Sequence, residues 1–266
     1  MRRLTVTIFI IVLVLSKALA QTTRPPTPFM DNKMIREFLQ THLVYPEKSF
    51  QNKVQGAVEI AFTSNENGKV TAQEIISPVN AEIDTEALRL FGLIIWQPAL
   101  KYGQPMSGNG IFSINFNIKK YNKAIKRRGY NKIELNYLID TSNRIYTKNE
   151  VDSIAKPILP EGCQNLYTYV YKQMKYPQQA AELEVEGKVE LTFIIETNGF
   201  PSNFIVNQTV GGGCTGEALR IVKNIRWQPA FEDGLAVRSK MTMFIEFRIS
   251  EIRSGKYVPN QTNSGF

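Results

Sequence analysis

The chain has 266 residues and a mass of 30.3 kDa, enough for two modest domains. Its 43% hydrophobic and 21% charged residues exclude a collagenous, a fully disordered and a polytopic membrane protein. The formal net charge is +8, and one histidine with two cysteines leaves too few ligands for a zinc cluster and little for histidine-dependent catalysis, so composition leans toward binding.

Met1-Arg2-Arg3 is a short basic start, and an apolar run follows from Leu4 to Leu15, broken only by Thr5 and Thr7. Ala18 and Ala20 then stand in the A-x-A arrangement of a signal-peptidase site. Twelve helical residues reach about 18 Å against a hydrocarbon core of about 30 Å. Residues 1–20 therefore read as a cleaved secretory signal, with an uncleaved inner-membrane anchor as the alternative. Cleavage removes Arg2, Arg3 and Lys17 and lowers the net charge to +5. No cysteine follows the run to carry a lipid. Export reaches an oxidising compartment, in which Cys163 and Cys214 can form a disulfide closing a loop of about 51 residues, worth about 4 kcal/mol. Two buried free thiols are the other reading of the pair.

A short Pro-rich linker over 21–30 comes next, and beyond it the chain repeats itself. Tyr45-Pro46 recurs as Tyr176-Pro177, an offset of 131 residues. The same offset relates Gly56 to Gly187, Asn67-Gly68 to Asn198-Gly199, and Glu86-Ala87-Leu88-Arg89 to Glu217-Ala218-Leu219-Arg220. It also maps Trp96-Gln97-Pro98-Ala99 onto Trp227-Gln228-Pro229-Ala230, so both tryptophans of the chain fill one slot. Module 1 takes 31–120 and module 2 takes 161–252. A basic linker with a possible short strand (133–139) and a capping box at Thr147-x-x-Glu150 lies over 121–160, and a tail over 253–266.

Periodicity changes in the same order in each copy. Apolar residues three and four apart predict a helix from Met34 to Leu43, and Leu166 to Met174 repeat it; Pro46 and Pro177 end these helices. Val54–Thr63 and Val185–Ile195 read as strands, Asn-Gly as a hairpin turn, and Val70–Ser77 and Ser202–Gln208 as the returning strands. Asp84-Thr85-Glu86 and Thr215-Gly216-Glu217 start second helices, and Ile111–Ile118 and Thr242–Ile249 are the last strands. The fold class is α+β: two tandem modules, each a three-stranded antiparallel sheet with two helices on one face.

This ordered set resembles the C-terminal domain of the TonB family of periplasmic energy transducers. The resemblance rests on Tyr-Pro, the glycine ahead of the first strand, the Asn-Gly hairpin, the Glu-Ala-Leu-Arg helix and Trp-x-Pro followed by Gly103 or Gly234, and it covers about two-thirds of the chain. It implies a protein-binding domain whose last strand lies at a sheet edge and accepts an extended peptide, the TonB box of an outer-membrane transporter. The implied contact residues are Ile111, Ser113, Asn115 and Asn117 in the first copy and Thr242, Phe244, Glu246 and Arg248 in the second, with Tyr45, Pro46, Tyr176 and Pro177 as a further region. For each Tyr-Pro a helix stop with a packed ring is the plainer account.

The chain departs from a transducer in having a short apolar run without histidine and only Arg24-Pro25-Pro26-Thr27-Pro28 as a spacer. The expected protein is exported to the periplasm and binds a TonB-dependent transporter or another envelope protein, and it has the means to pair with a second copy. No nucleic acid partner, cofactor or metal is expected, and membrane contact comes only through partners or an uncleaved N-terminus. The alternative is a membrane-anchored transducer subunit. An enzyme built on Glu59 with Glu190 or Glu86 with Glu217 is disfavoured, since glutamate at a helix start complements the helix dipole. The basic run from Lys123 to Lys132 reads as a solvated linker, with anionic lipid or polysaccharide as its functional alternative.

Overall fold

The computed structural model describes residues 23–131 and 134–249, which fall into two compact units dividing at residue 132. The expected signal (1–20) and tail (253–266) lie outside the described residues.

The first unit runs β1 (Thr23–Arg24), β2 (Thr27–Pro28), α1 (Asn32–His42), α2 (Glu47–Gln51), β3 (Gly56–Ser64), β4 (Val70–Ser77), α3 (Ala81–Gly92), β5 (Trp96–Gln97), β6 (Ala99–Lys101), β7 (Gln104–Met106), β8 (Gly108–Phe116) and α4 (Ile118–Arg128). Its main sheet has the order β4-β3-β8, antiparallel throughout. Val58, Ile60 and Phe62 alternate inward from β3, meet Ile114 and Phe116 from β8, and bury against Ile83, Ala87, Leu90 and Phe91 of α3. Trp96 closes this core, its ring 4.3 Å from that of Phe62.

The second unit runs β9 (Ile145–Tyr146), β10 (Lys156–Ile158), α5 (Leu166–Gln173), α6 (Gln178–Glu182), β11 (Gly187–Ile195), β12 (Pro201–Gln208), α7 (Cys214–Lys223), β13 (Arg226–Gln228), β14 (Ala230–Glu232) and β15 (Leu235–Phe247). Its sheet has the order β12-β11-β15-β14, with β9 added in parallel to β15. β7 and β8, two strands broken at Ser107, correspond to the single strand β15.

The α+β class and the tandem modules stand, and several boundaries move for local reasons. α3 begins at Ala81, ahead of the expected Asp84, because Asn80 caps it by accepting the Ile83 N–H at 2.9 Å. Each Tyr-Pro proline stands at the N-cap of an extra short helix, α2 or α6, where a missing N–H leaves no bond unmade. The hairpin glycines answer to more than turn geometry. Gly68 and Gly199 have φ of +77° and +76°, and a Cβ on either would lie 2.1 or 2.0 Å from the carbonyl oxygen of Trp96 or Trp227. Turn and tryptophan are therefore one packing unit, which is why both recur together.

The segments expected as linkers are folded where they are described. Thr27 and Pro28 pair with Gln97 and Trp96, and Arg24 pairs with Leu100. α4 is capped by Asn117 and ended by Gly129 at φ +80°, and the Arg128 guanidinium donates to the carbonyl oxygens of Gln40, Thr41 and Leu43. In place of a strand over 133–139, Ile139 alone bridges, to Ala236, and Ile133 lies outside the described residues. Glu150 accepts both the backbone N–H and the hydroxyl of Thr147, but the segment makes a turn and no helix.

The disulfide expectation is corrected: Cys163 and Cys214 are free. Cys214 is fully buried at the start of α7, where the repeat places Ile83 in module 1, also fully buried. It serves as a small core hydrophobe. Burial raises its thiol above the usual range, while Cys163 sits in a half-exposed turn.

Candidate functional site

A sheet edge accepts another strand only where its outer N–H and C=O groups are unpaired, and a regular ladder makes a better template than a bulged one. In module 1 both β4 and β8 are edges of the main sheet. The β3–β4 pairing shifts register twice, between Glu59 and Ile60 and between Thr63 and Ser64. The β3–β8 pairing runs unbroken through nine positions, from Gly56 opposite Phe116 to Ser64 opposite Gly108. At about 3.4 Å per residue, β8 offers an edge about 30 Å long. Its outward side chains are Asn109, Ile111, Ser113 and Asn115, and Ile111 is 65% exposed.

Module 2 treats the corresponding edge differently. Ala236 donates its N–H to Leu138 O at 2.8 Å and its carbonyl accepts the Asp140 N–H at 2.9 Å. Arg238 and Ser239 then pair in parallel with Ile145 and Tyr146. The protein's own segment 138–146 thus occupies the first part of the β15 edge. From Lys240 to Phe247, β15 pairs only with β11 among the described residues.

A buried ion pair lies beneath this added segment. The Arg238 Nε donates to a Glu196 carboxylate oxygen at 2.7 Å, both side chains are almost wholly buried, and Arg238 also donates to Asn143 O at 3.0 Å. The Ser202 hydroxyl donates to the same carboxylate. Tyr137 donates to Thr197 O at 3.0 Å and packs edge-on against Phe231 at 5.4 Å, and burial raises its phenol above the ordinary value. Module 1 has Asn65 and Ser107 in place of Glu196 and Arg238.

The candidate residues divide accordingly. Ile111, Ser113 and Asn115 share the outward side of β8, and Thr242, Phe244 and Glu246 stand along the open part of β15. Asn117 is on no strand: it caps α4, accepting the Lys120 N–H at 2.9 Å. Arg248 follows the end of β15 and pairs with Glu246 at 2.7 Å. Tyr45 is 4% exposed, its hydroxyl donates to Val54 O, and burial raises its pKa. Tyr176 repeats the bond with Val185 O at 2.6 Å. These rings hold the loop ahead of the first strand, which is the plainer account of each Tyr-Pro.

The paired glutamates are also structural clamps. Glu86 accepts from Arg89 at 2.7 Å and from the Val44 N–H at 2.8 Å, while Arg89 donates to His42 O. Glu217, Arg220, the Lys175 N–H and Gln173 O repeat the arrangement. Burial raises the Glu217 carboxyl, and the bonds from Arg220 and Lys175 more than offset it, leaving the group below its ordinary value. His42 is buried, with its ring centroid 4.7 Å from that of Phe38. Among the described residues no group of three or more side chains is arranged to hold a metal, and no helix is long and apolar enough to cross a membrane. The self-covered edge was missed by sequence reasoning. A second strap was missed with it, and this one left a signal: Pro157 stands opposite Trp227 as Pro28 stands opposite Trp96, a spacing of 129 hidden beside the offset of 131.

The family model for the Gram-negative bacterial TonB protein C-terminal matches residues 41–118 and 172–249, more than half of the chain and again 131 apart. A solution NMR structure of the Pseudomonas aeruginosa TonB C-terminal domain is similar at 23% identity, over 40% of this chain and 94% of that one, with a TM-score of 0.28. No curated protein matches the chain. Two matched copies in one sequence, coincident with the two folded modules, place the chain in the TonB C-terminal family, a family of envelope transport whose members interact with outer-membrane proteins.

Proposed function

We propose that the chain is an exported periplasmic binding protein, without enzymatic activity, that takes extended peptides of outer-membrane transporters or other envelope proteins onto its sheet edges. The observation that carries this reading is the unbroken nine-residue ladder of β8, with its outer edge unpaired among the described residues and Ile111 exposed on it. Backbone hydrogen bonds from an added strand supply affinity, and alternate side chains against Ile111, Ser113 and Asn115 supply specificity. Two such edges in one chain raise the local concentration of the second site once the first is engaged.

The test is titration of the isotope-labelled full chain with a synthetic peptide from the N-terminal box of an outer-membrane transporter, followed by amide shifts. The expected perturbations run through 108–116, and Ile111→Lys weakens binding about tenfold by placing a charge on the edge. Absence of any shift with several such peptides sinks the reading. Self-association through the same edge would show as a dimer that the peptide dissociates. N-terminal sequencing of the protein from its native cell fraction separates an exported chain beginning at Gln21 from a membrane-anchored transducer.

A further inference from the structure

Module 2 contains a groove at a place that module 1 fills. Its volume is about 250 Å³, and Ile154, Ala155, Ala230 and Met241 give it an apolar lining. The repeat places Gly108 where module 2 has Ser239, and Ala99 where it has Ala230; the strap register places Pro26 where it has Ala155. In module 1 the space is closed, since a Cβ on Gly108 would lie 2.4 Å from the Ala99 Cβ and 3.6 Å from the Pro26 Cδ. In module 2 the strap is paired on both sides of Ala155, and Ser239 lines the opening.

Three features of the groove point to an occupant. Ser239 is 5% exposed, and its hydroxyl is buried without a hydrogen-bond partner, a condition buried polar groups rarely keep. Lys148 and Lys240 line the groove and are exposed, and no carboxylate lines it. The nearby acids are engaged: Glu150 with Thr147 and Arg144, Asp152 with the Asp233 N–H. Position is the third feature. Lys240 is the first residue of β15 beyond the stretch paired with β9, so a strand added along 240–247 ends at the groove. The volume is below the roughly 300–1,000 Å³ of small-molecule pockets and suits a single side chain.

Building on the peptide-binding reading above, we infer that this groove anchors one end of an extended peptide on β15, taking an apolar side chain whose acidic neighbour meets Lys148 and Lys240. The Ser239 hydroxyl then bonds the peptide at that end. Module 1 has no counterpart, so the anchor gives module 2 a preference for acidic-apolar sequences that module 1 lacks.

Two acetylated, amidated hexapeptides of alternating threonine and valine test this, one ending Glu-Val and the other Gln-Val, titrated into the labelled full chain. The Glu peptide is expected to shift the amides of Ile154 and 239–242 and to bind there about fivefold more tightly than the Gln peptide. Lys148→Glu with Lys240→Glu removes that preference and weakens the Glu peptide about tenfold. Ile154→Trp fills the groove and abolishes the 239–242 shifts. If that variant melts at a lower temperature, the two exposed lysines still decide. Equal binding of the two peptides at 240–247, or shifts confined to 108–116, overturns the inference and leaves the peptide-binding reading intact. No shift at either edge sinks both.

Discussion

The two modules share a core and differ at one edge. In both, a tryptophan packs on the hairpin glycine, a Glu-x-x-Arg clamp joins the second long helix to the end of the first, and a tyrosine hydroxyl closes the loop before the first strand. Among the described residues the edge strand β8 is open along its length in module 1, whereas in module 2 the chain's own segment 138–146 lies on the first part of β15. A core is constrained by close packing on every side, so a duplicated module keeps it. An edge is constrained only by what pairs with it, so it can diverge without loss of the fold.

The comparison breaks most sharply at Arg238. Arg238→Met leaves the Glu196 carboxylate buried without its cation, and module 2 is expected to lose about 3–5 kcal/mol in urea unfolding. The counterpart in module 1, Ser107, is exposed, and Ser107→Ala is expected to change stability by less than about 0.5 kcal/mol. A similar loss from both would show that the buried pair is not what fastens the covered edge.

The shared part has its own test. Gly68→Ala and Gly199→Ala each force a side chain into positive φ and onto a tryptophan carbonyl, and each is expected to cost about 2 kcal/mol or more. Near-equal losses sharpen the comparison, because they place the two hairpins in one packing class. A loss confined to one module would show that its turn relaxes where the other does not.

Residues make clear why the shared part was legible and the difference was not. Trp96 and Trp227, the Asn-Gly pairs and the Glu-Ala-Leu-Arg helices are rare or conformationally demanding, and their spacing survives duplication without a gap. The strap does not keep that spacing: Pro28 and Pro157 face equivalent tryptophans at an offset two residues shorter, so an alignment at 131 passes over them. The segment 138–146 covers its edge through backbone bonds from Leu138 and Asp140, which leave no mark on side-chain type. α4 was hidden for another reason. Ile118, Tyr121 and Ile125 carry helical spacing, but its many cations read as a solvated linker. The backbone also redirected single candidates, since Asn117 turned out to be a helix cap and Tyr45 a core residue.

A smaller effect acts through protons in module 2. The Glu217 carboxyl is held below its ordinary value, so its contribution is full above the unfolded carboxylate value of about 4.3 and is lost as pH falls through the lower folded value. Glu217→Gln is expected to cost about 1–2 kcal/mol at pH 7 and to flatten the acid limb of the stability curve. Unfolding midpoints from pH 7 down to pH 2 check it; an unchanged acid limb would move the acid sensitivity to another group.

The smallest expected effect bears on the slot that the two modules fill with different side chains, Ile83 and Cys214. Both are fully buried at the start of equivalent helices, so the slot asks for an apolar group and places no demand on thiol chemistry. Burial also raises the Cys214 thiol, which keeps it from forming the reactive thiolate. In the native protein a thiol reagent is therefore expected to label Cys163 promptly and Cys214 only on unfolding, giving one fast equivalent and one that follows the unfolding rate. Cys214→Val, close in volume, is expected to cost less than about 1.5 kcal/mol. Protection of both thiols that a reductant relieves would mean that they are bonded, and the slot in module 2 would then be a covalent tie with no parallel in module 1.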